Sequence, residues 1–100
     1  MDTKYKVIIS KKAENQIEDI YNYISANLYN KPAAEKLMSE INLKFKYIES
    51  FPFMYQMSEL INCRKCTVDN YILFYEVHKK DKSIYILSMY HGSQDYDRFF

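Results

Sequence analysis

The apolar residues of this chain change their spacing once, and that change limits the folds open to it. In the first half, Ala13, Ile17, Ile20, Tyr21, Ile24 and Leu28 recur three and four apart, which places them on one face of a helix over about 11–28. Glu14, Glu18 and Asp19 fall off that stripe in its amino-terminal half, where the helix dipole favours acids. Ser10 precedes the stripe and suits an N-cap, its hydroxyl accepting from a free amide of the first turn. A second stripe, Leu37, Met38, Ile41, Phe45 and Ile48, follows Pro32, whose missing amide suits a first turn. Ser50-Phe51-Pro52 breaks it, because proline disfavours a helical residue before it. Two helices with a short joint make an antiparallel hairpin.

After residue 62 the apolar residues alternate instead. CRKCTV (63–68), YILFYEV (71–77) and IYILSMYH (84–91) read as strands, and KYKVIIS (4–10) as an earlier, β-branched one. Asp69-Asn70 tolerates the positive φ of a tight hairpin, VHKKDKS turns the chain again, and FPFMYQMSELIN (51–62) is a loop lying on apolar surface. Gly92 follows the last strand, where a backbone conformation that other residues resist is expected. The order β-α-α-β-β-β predicts an α+β fold, a helical hairpin packed on one face of a small, mostly antiparallel sheet.

With one glycine and two prolines in 100 residues, the chain has room for few loops and no linker, so residues 1–100 are expected to form a single domain. No apolar run approaches the roughly 18 residues that span a bilayer. The amino terminus lacks the apolar core of a signal peptide. No membrane association is expected, and the cytoplasm, with both thiols reduced, is the default compartment. A net charge of +1 argues against a strongly basic nucleic-acid binder without excluding a local patch.

Cys63 and Cys66 resemble half of a zinc site or a redox pair. A two-residue turn at Asp69-Asn70 fixes the hairpin register, with Val68 facing Tyr71, Cys66 facing Leu73 and Arg64 facing Tyr75. Strand residues alternate between faces, so two cysteines three apart lie on opposite sides of the sheet. They cannot share a metal there. Neither a metal nor a cofactor is expected. The hairpin face bearing Cys66, Val68, Tyr71, Leu73, Tyr75 and Val77, apolar except for Arg64, should meet the helices. The other carries Cys63, Lys65, Thr67, Glu76 and His78 around Ile72 and Phe74, and should be partly open.

The element order, the pattern from Ala13 to Ile24, the Phe51-Pro52 break, YILFYEV and ILSMYHGSQD together resemble the RelE/ParE superfamily over nearly the whole chain. These are the toxins of bacterial type II toxin–antitoxin modules, including plasmid-stabilisation modules. The resemblance implies growth inhibition by a toxin that a cognate antitoxin neutralises in a hetero-oligomer. RelE-like members cleave mRNA in the ribosomal A site with arginines, lysines and sometimes histidine, tyrosine or glutamate on the open sheet face. ParE-like members poison DNA gyrase. This chain has Ile72 where RelE-like toxins usually carry arginine in Y-R-L-x-Y, and an isoleucine cannot donate to a phosphate. Together with the near-neutral charge, that places it closer to ParE-like members.

The resemblance leaves several candidate residues. His91, ending the last strand, is the candidate acid or base should the chain be a metal-independent endoribonuclease, since an imidazole titrates near 6.5. Arg64, Lys65, Glu76, Gln94, Asp95 and Tyr96 are candidates for binding the target, whether gyrase, ribosome or nucleic acid. An inactive module that only binds antitoxin is the third alternative.

Overall fold

A computed structural model describes residues 4–58 and 62–92. The elements are β1 (Lys6–Ile9), α1 (Lys11–Asn22), α2 (Lys31–Ser50), β2 (Arg64–Val68), β3 (Tyr71–His78) and β4 (Ser83–His91). The strands form one sheet in the order β1-β4-β3-β2. β1 runs parallel to β4, and the other two pairs are antiparallel. Both helices lie on one face, the α+β arrangement that the order of elements implies.

Ser10 caps α1 as its position suggests: Ala13 N–H donates to Ser10 Oγ at 3.0 Å. The same hydroxyl donates to Leu87 O at 2.9 Å, tying the helix start to β4. α1 then widens into a π-helical turn over Tyr23–Asn27, in which Leu28 N–H reaches back to Tyr23 O. The helix predicted over 11–28 is therefore regular only to Asn22. The extra residue per turn rotates Leu28 off the apolar stripe, and Leu28 is exposed while Ile17, Ile20 and Ile24 pack on the core. α2 is capped by Asn30, whose Oδ1 accepts from Ala33 N–H at 3.2 Å. It buries Ala34, Leu37, Ile41, Phe45 and Ile48.

The β2–β3 register is the one the two-residue turn dictates, from Val68 opposite Tyr71 to Arg64 opposite Tyr75. Asp69 takes the left-handed conformation there, with φ 55°. Cys66 joins the main core and Cys63 a second cluster with Phe74 and Tyr90 on the other face, so the two thiols are separated by the sheet. Both are free and buried.

Gly92 departs from expectation, because no glycine here has positive φ. Its N–H donates to Asn70 O at 2.8 Å, and a Cβ would lie 3.2 Å from that oxygen. Closeness to the β2–β3 turn, not a special dihedral, is what favours glycine.

β4 carries a bulge. Phe74 pairs with Ser88 but Tyr75 with Ile86, so Leu87 is the extra residue. Ile84 and Ile86 face the helices before it, and Met89 does so after it.

Candidate functional site

The bulge decides where His91 sits. Strict alternation from Ile84 and Ile86 would put position 91 on the face away from the helices, with Lys65 and Glu76. The extra residue reverses the alternation, and His91 instead pairs with Tyr71, a core-side residue, with its ring edge-on at 5.3 Å and 85°. It opens onto a groove of about 580 Å³ between α1 and the sheet, with Gln16, Ile20, Tyr23 and Met89. Gln16 Oε1 accepts from the Met89 N–H at 2.8 Å, closing the strand against the helix.

Lys65 and Glu76 lie on the opposite face, flanking Phe74. The long axis of the sheet separates them further. Tyr71 and Glu76 are five residues apart, about 16 Å of strand. His91, Lys65 and Glu76 thus do not converge on one reacting group, because His91 lies on the helix side.

Arg64 faces the helix side with Tyr75, where it secures the loop after α2. Its Nη1 donates to Tyr55 O at 2.7 Å, and its guanidinium lies 5.0 Å from the Phe53 ring. Lys79 Nζ lies 5.2 Å from the same ring. Tyr75 OH donates to Pro52 O at 2.9 Å, and burial raises that phenol well above its usual range. These bonds tie the loop to the sheet and bury Pro52, but Phe51, Phe53, Met54 and Met57 stay exposed. The loop expected to lie on apolar surface instead leaves most of its own apolar side chains open. Arg64 acts here first as a structural group. Gln94, Asp95 and Tyr96 lie outside the described residues.

Sequence reasoning passed over His78. Its Nε2 is 2.7 Å from Glu76 Oε1, and its ring tilts against Tyr85 at 4.7 Å. Both side chains of the pair are nearly half exposed. The signal was present, because residues two apart on a strand share a face. The pair borders an open cleft of about 580 Å³ with Phe53, Arg64, Lys79 and Lys80. Beside it, the centre of this face is the apolar group Cys63, Phe74, Tyr90, Ile72 and Leu87.

The thiols are poor ligands and poor nucleophiles. Burial pushes Cys63 and Cys66 up to about 11, and the Glu76 carboxylate adds to the effect at Cys63. Among the described residues no three His, Cys, Asp or Glu side chains gather as a metal site, and no helix is long and apolar enough to cross a membrane.

Residues 7–96 match the family model described as the ParE toxin of the type II toxin–antitoxin system parDE. The chain belongs to the ParE toxin family. Its fold is similar to that of a chain in the chromosomal ParDE toxin–antitoxin system from P. aeruginosa, with a TM-score of 0.74 and 19% identity over 90% of this chain and 98% of that one. It is also similar to a chain in the RelBE2 toxin–antitoxin complex from Mycobacterium tuberculosis, with a TM-score of 0.60 and 16% identity over 89% and 99%. No curated protein sequence matches. The ParE assignment agrees with the aliphatic Ile72 near the start of β3.

Proposed function

We propose that this ParE-family toxin acts on DNA gyrase and is held inactive by a cognate antitoxin in the cytoplasm. The observation that carries the reading is the division of the candidate residues between two faces. Cleaving RNA without a metal needs a proton acceptor, a proton donor and a cation around one phosphate. His91 lies on the helix side, Lys65 and Glu76 on the other, and Arg64 bonds the Tyr55 carbonyl. A poison of another protein needs only complementary surface with a few anchors. Arg64, Lys65 and the tail Gln94, Asp95 and Tyr96 remain the proposed contacts.

Message cleavage is favoured by a different observation, the Glu76–His78 pair on the free face. One experiment separates the two. Cells induced for the toxin should filament and accumulate DNA damage while ribosome-bound messages stay intact, and His91→Ala and His78→Ala should remain toxic. Messages cut within minutes of induction, with either substitution abolishing the cutting, would establish the nuclease instead. Co-expression of the antitoxin from the adjacent gene should restore growth.

A further inference from the structure

The loop after α2 combines a pinned backbone with open apolar side chains. It is held at Pro52, whose carbonyl accepts from Tyr75 OH, and at Tyr55, whose carbonyl accepts from Arg64 Nη1. Lys44 Nζ donates to Tyr55 OH at 3.1 Å and ties the loop to α2. Further on, Lys65 N–H donates to Gln56 O at 3.1 Å and Ser58 N–H to Cys63 O at 2.7 Å. Phe51, Phe53, Met54 and Met57 are nonetheless 60%, 42%, 55% and 44% exposed. Large apolar side chains left open as a group mark a contact surface.

We infer that this loop, over residues 51–57, is the anchor by which the toxin engages DNA gyrase, its phenylalanines and methionines entering an apolar pocket rimmed by carboxylates. The inference rests on the gyrase reading above and names the surface that reading leaves open. Affinity in a protein contact concentrates in a few apolar, aromatic and arginine side chains near its centre. With the loop backbone already fixed, little ordering entropy opposes binding. The methionines, unbranched and adaptable, suit the irregular walls of a partner's pocket.

Charge selects the occupant. The loop stands between two hollows, the cleft of about 580 Å³ bordered by Phe53 and Met57 and a groove of about 430 Å³ bordered by Met54. Arg64, Lys79 and Lys80 line the first, and Lys65 lines the second. Against these cations stand Glu76, already paired with His78, and Asp81. Arg64 and Lys79 lie 5.0 and 5.2 Å from the Phe53 ring, so a partner's carboxylates meet cations directly beside the apolar anchor. The positive excess repels a second copy of this surface and draws an acidic one. A fluid bilayer needs no fixed loop geometry, and methionines offer bases no ring on which to stack. A shaped protein pocket fits these side chains better than lipid or nucleic acid.

The test is DNA supercoiling by purified gyrase, titrated with the full chain free of antitoxin. Met54→Ser combined with Met57→Ser should raise the toxin concentration for half-inhibition at least tenfold. Lys79→Glu combined with Lys80→Glu should also raise it at least tenfold, and should flatten its dependence on salt. Leu43→Ser, which removes a comparably exposed apolar side chain from α2, should change it less than twofold. Hydroxyl radicals should oxidise Met54 and Met57 readily in the free toxin and at least fivefold more slowly in the gyrase complex. If the loop variants inhibit gyrase as well as the unaltered chain does, the anchor is overturned and the gyrase reading stands. If the unaltered toxin leaves gyrase fully active, both fall. An equal loss from Leu43→Ser would overturn the anchor as well. Binding to phosphatidylglycerol vesicles that the methionine variant abolishes would give the loop to a membrane, and the same result with a single-stranded oligonucleotide would give it to nucleic acid. Self-association that this variant abolishes would give it to a second copy. Each of these results overturns the proposal. Should a variant fail to fold, the oxidation pattern of the unaltered protein decides.

Discussion

The two faces of the sheet are built from the same strands and do different work. On the helix side, Cys66, Val68, Leu73, Tyr75, Ile84, Ile86 and Met89 interlock with Leu37, Ile41, Phe45 and Ile48 of α2 and Ala13 of α1. On the other side, Cys63, Phe74 and Tyr90 form a small cluster bordered by Ile72 and Leu87, and then by the polar residues Lys65, Glu76 and His78. The difference shows how one alternating pattern separates stability from recognition. The face packed against helices accepts little change, and the face carrying charged side chains is where sequence can vary and contact a partner.

Substitutions that trade a residue on one face for its neighbour on the other should break or sharpen this contrast. The largest effect is expected at Leu73, which is fully buried on the helix side. Leu73→Ala should cost about 3 kcal/mol through lost transfer energy and a residual cavity. Ile72→Ala, one residue away on the half-buried face, should cost about 1 kcal/mol. Denaturant melts of the two variants measure the difference, and equal losses would erase the distinction between faces.

The thiols test both faces at once. With each raised to about 11 from 9.0, the thiolate fraction at pH 8 falls about a hundredfold below that of a free cysteine. Labelling by a soluble disulfide reagent should be correspondingly slow in the folded protein and fast after denaturation. Because these folded-state values are raised, their stabilising contribution is complete below about pH 9 and is lost as pH rises through about 11. Tyr75, raised by burial, acts in the same direction. Stability should therefore fall on the alkaline side, and Cys63→Ala with Cys66→Ala should flatten that fall without changing toxicity.

Tyr75→Phe removes the bond to Pro52 O and leaves a carbonyl without its partner, for an expected loss of about 1–2 kcal/mol. The loop after α2 should become more sensitive to protease in the same variant. Ser88 lies in the bulge with its hydroxyl buried and without a hydrogen-bond partner. Ser88→Ala should leave stability unchanged or raise it by up to about 1 kcal/mol. The smallest effect is expected at the exposed Glu76–His78 pair, where His78→Ala should change stability by less than about 0.5 kcal/mol. A larger change would mean that the pair supports the free face rather than decorating it.

Much of this molecule was legible in the order of its residues. The stripes at Ala13–Ile24 and Leu37–Ile48 specify two helices, Ser10 begins one of them, and Asp69-Asn70 fixes the hairpin register and hence the separation of Cys63 from Cys66. These signals are local, carried by side-chain period and turn chemistry, so a sequence expresses them directly. Glu76 and His78 were legible as neighbours for the same reason, although their pairing was not drawn from it.

Three features were not carried by the apolar period or by turn chemistry. The π-helical turn that exposes Leu28 costs regular hydrogen bonding in α1, and the apolar period alone gives no sign of it. Gly92 is favoured by the nearness of Asn70 O, a carbonyl 22 positions earlier. The bulge at Leu87 moves His91 to the helix side because Phe74 and Tyr75 select partners across β4 that skip one residue. Alternation holds only while pairing is uninterrupted, and an interruption is set by the partner strand and the packing beneath it, not by the residues that carry the pattern.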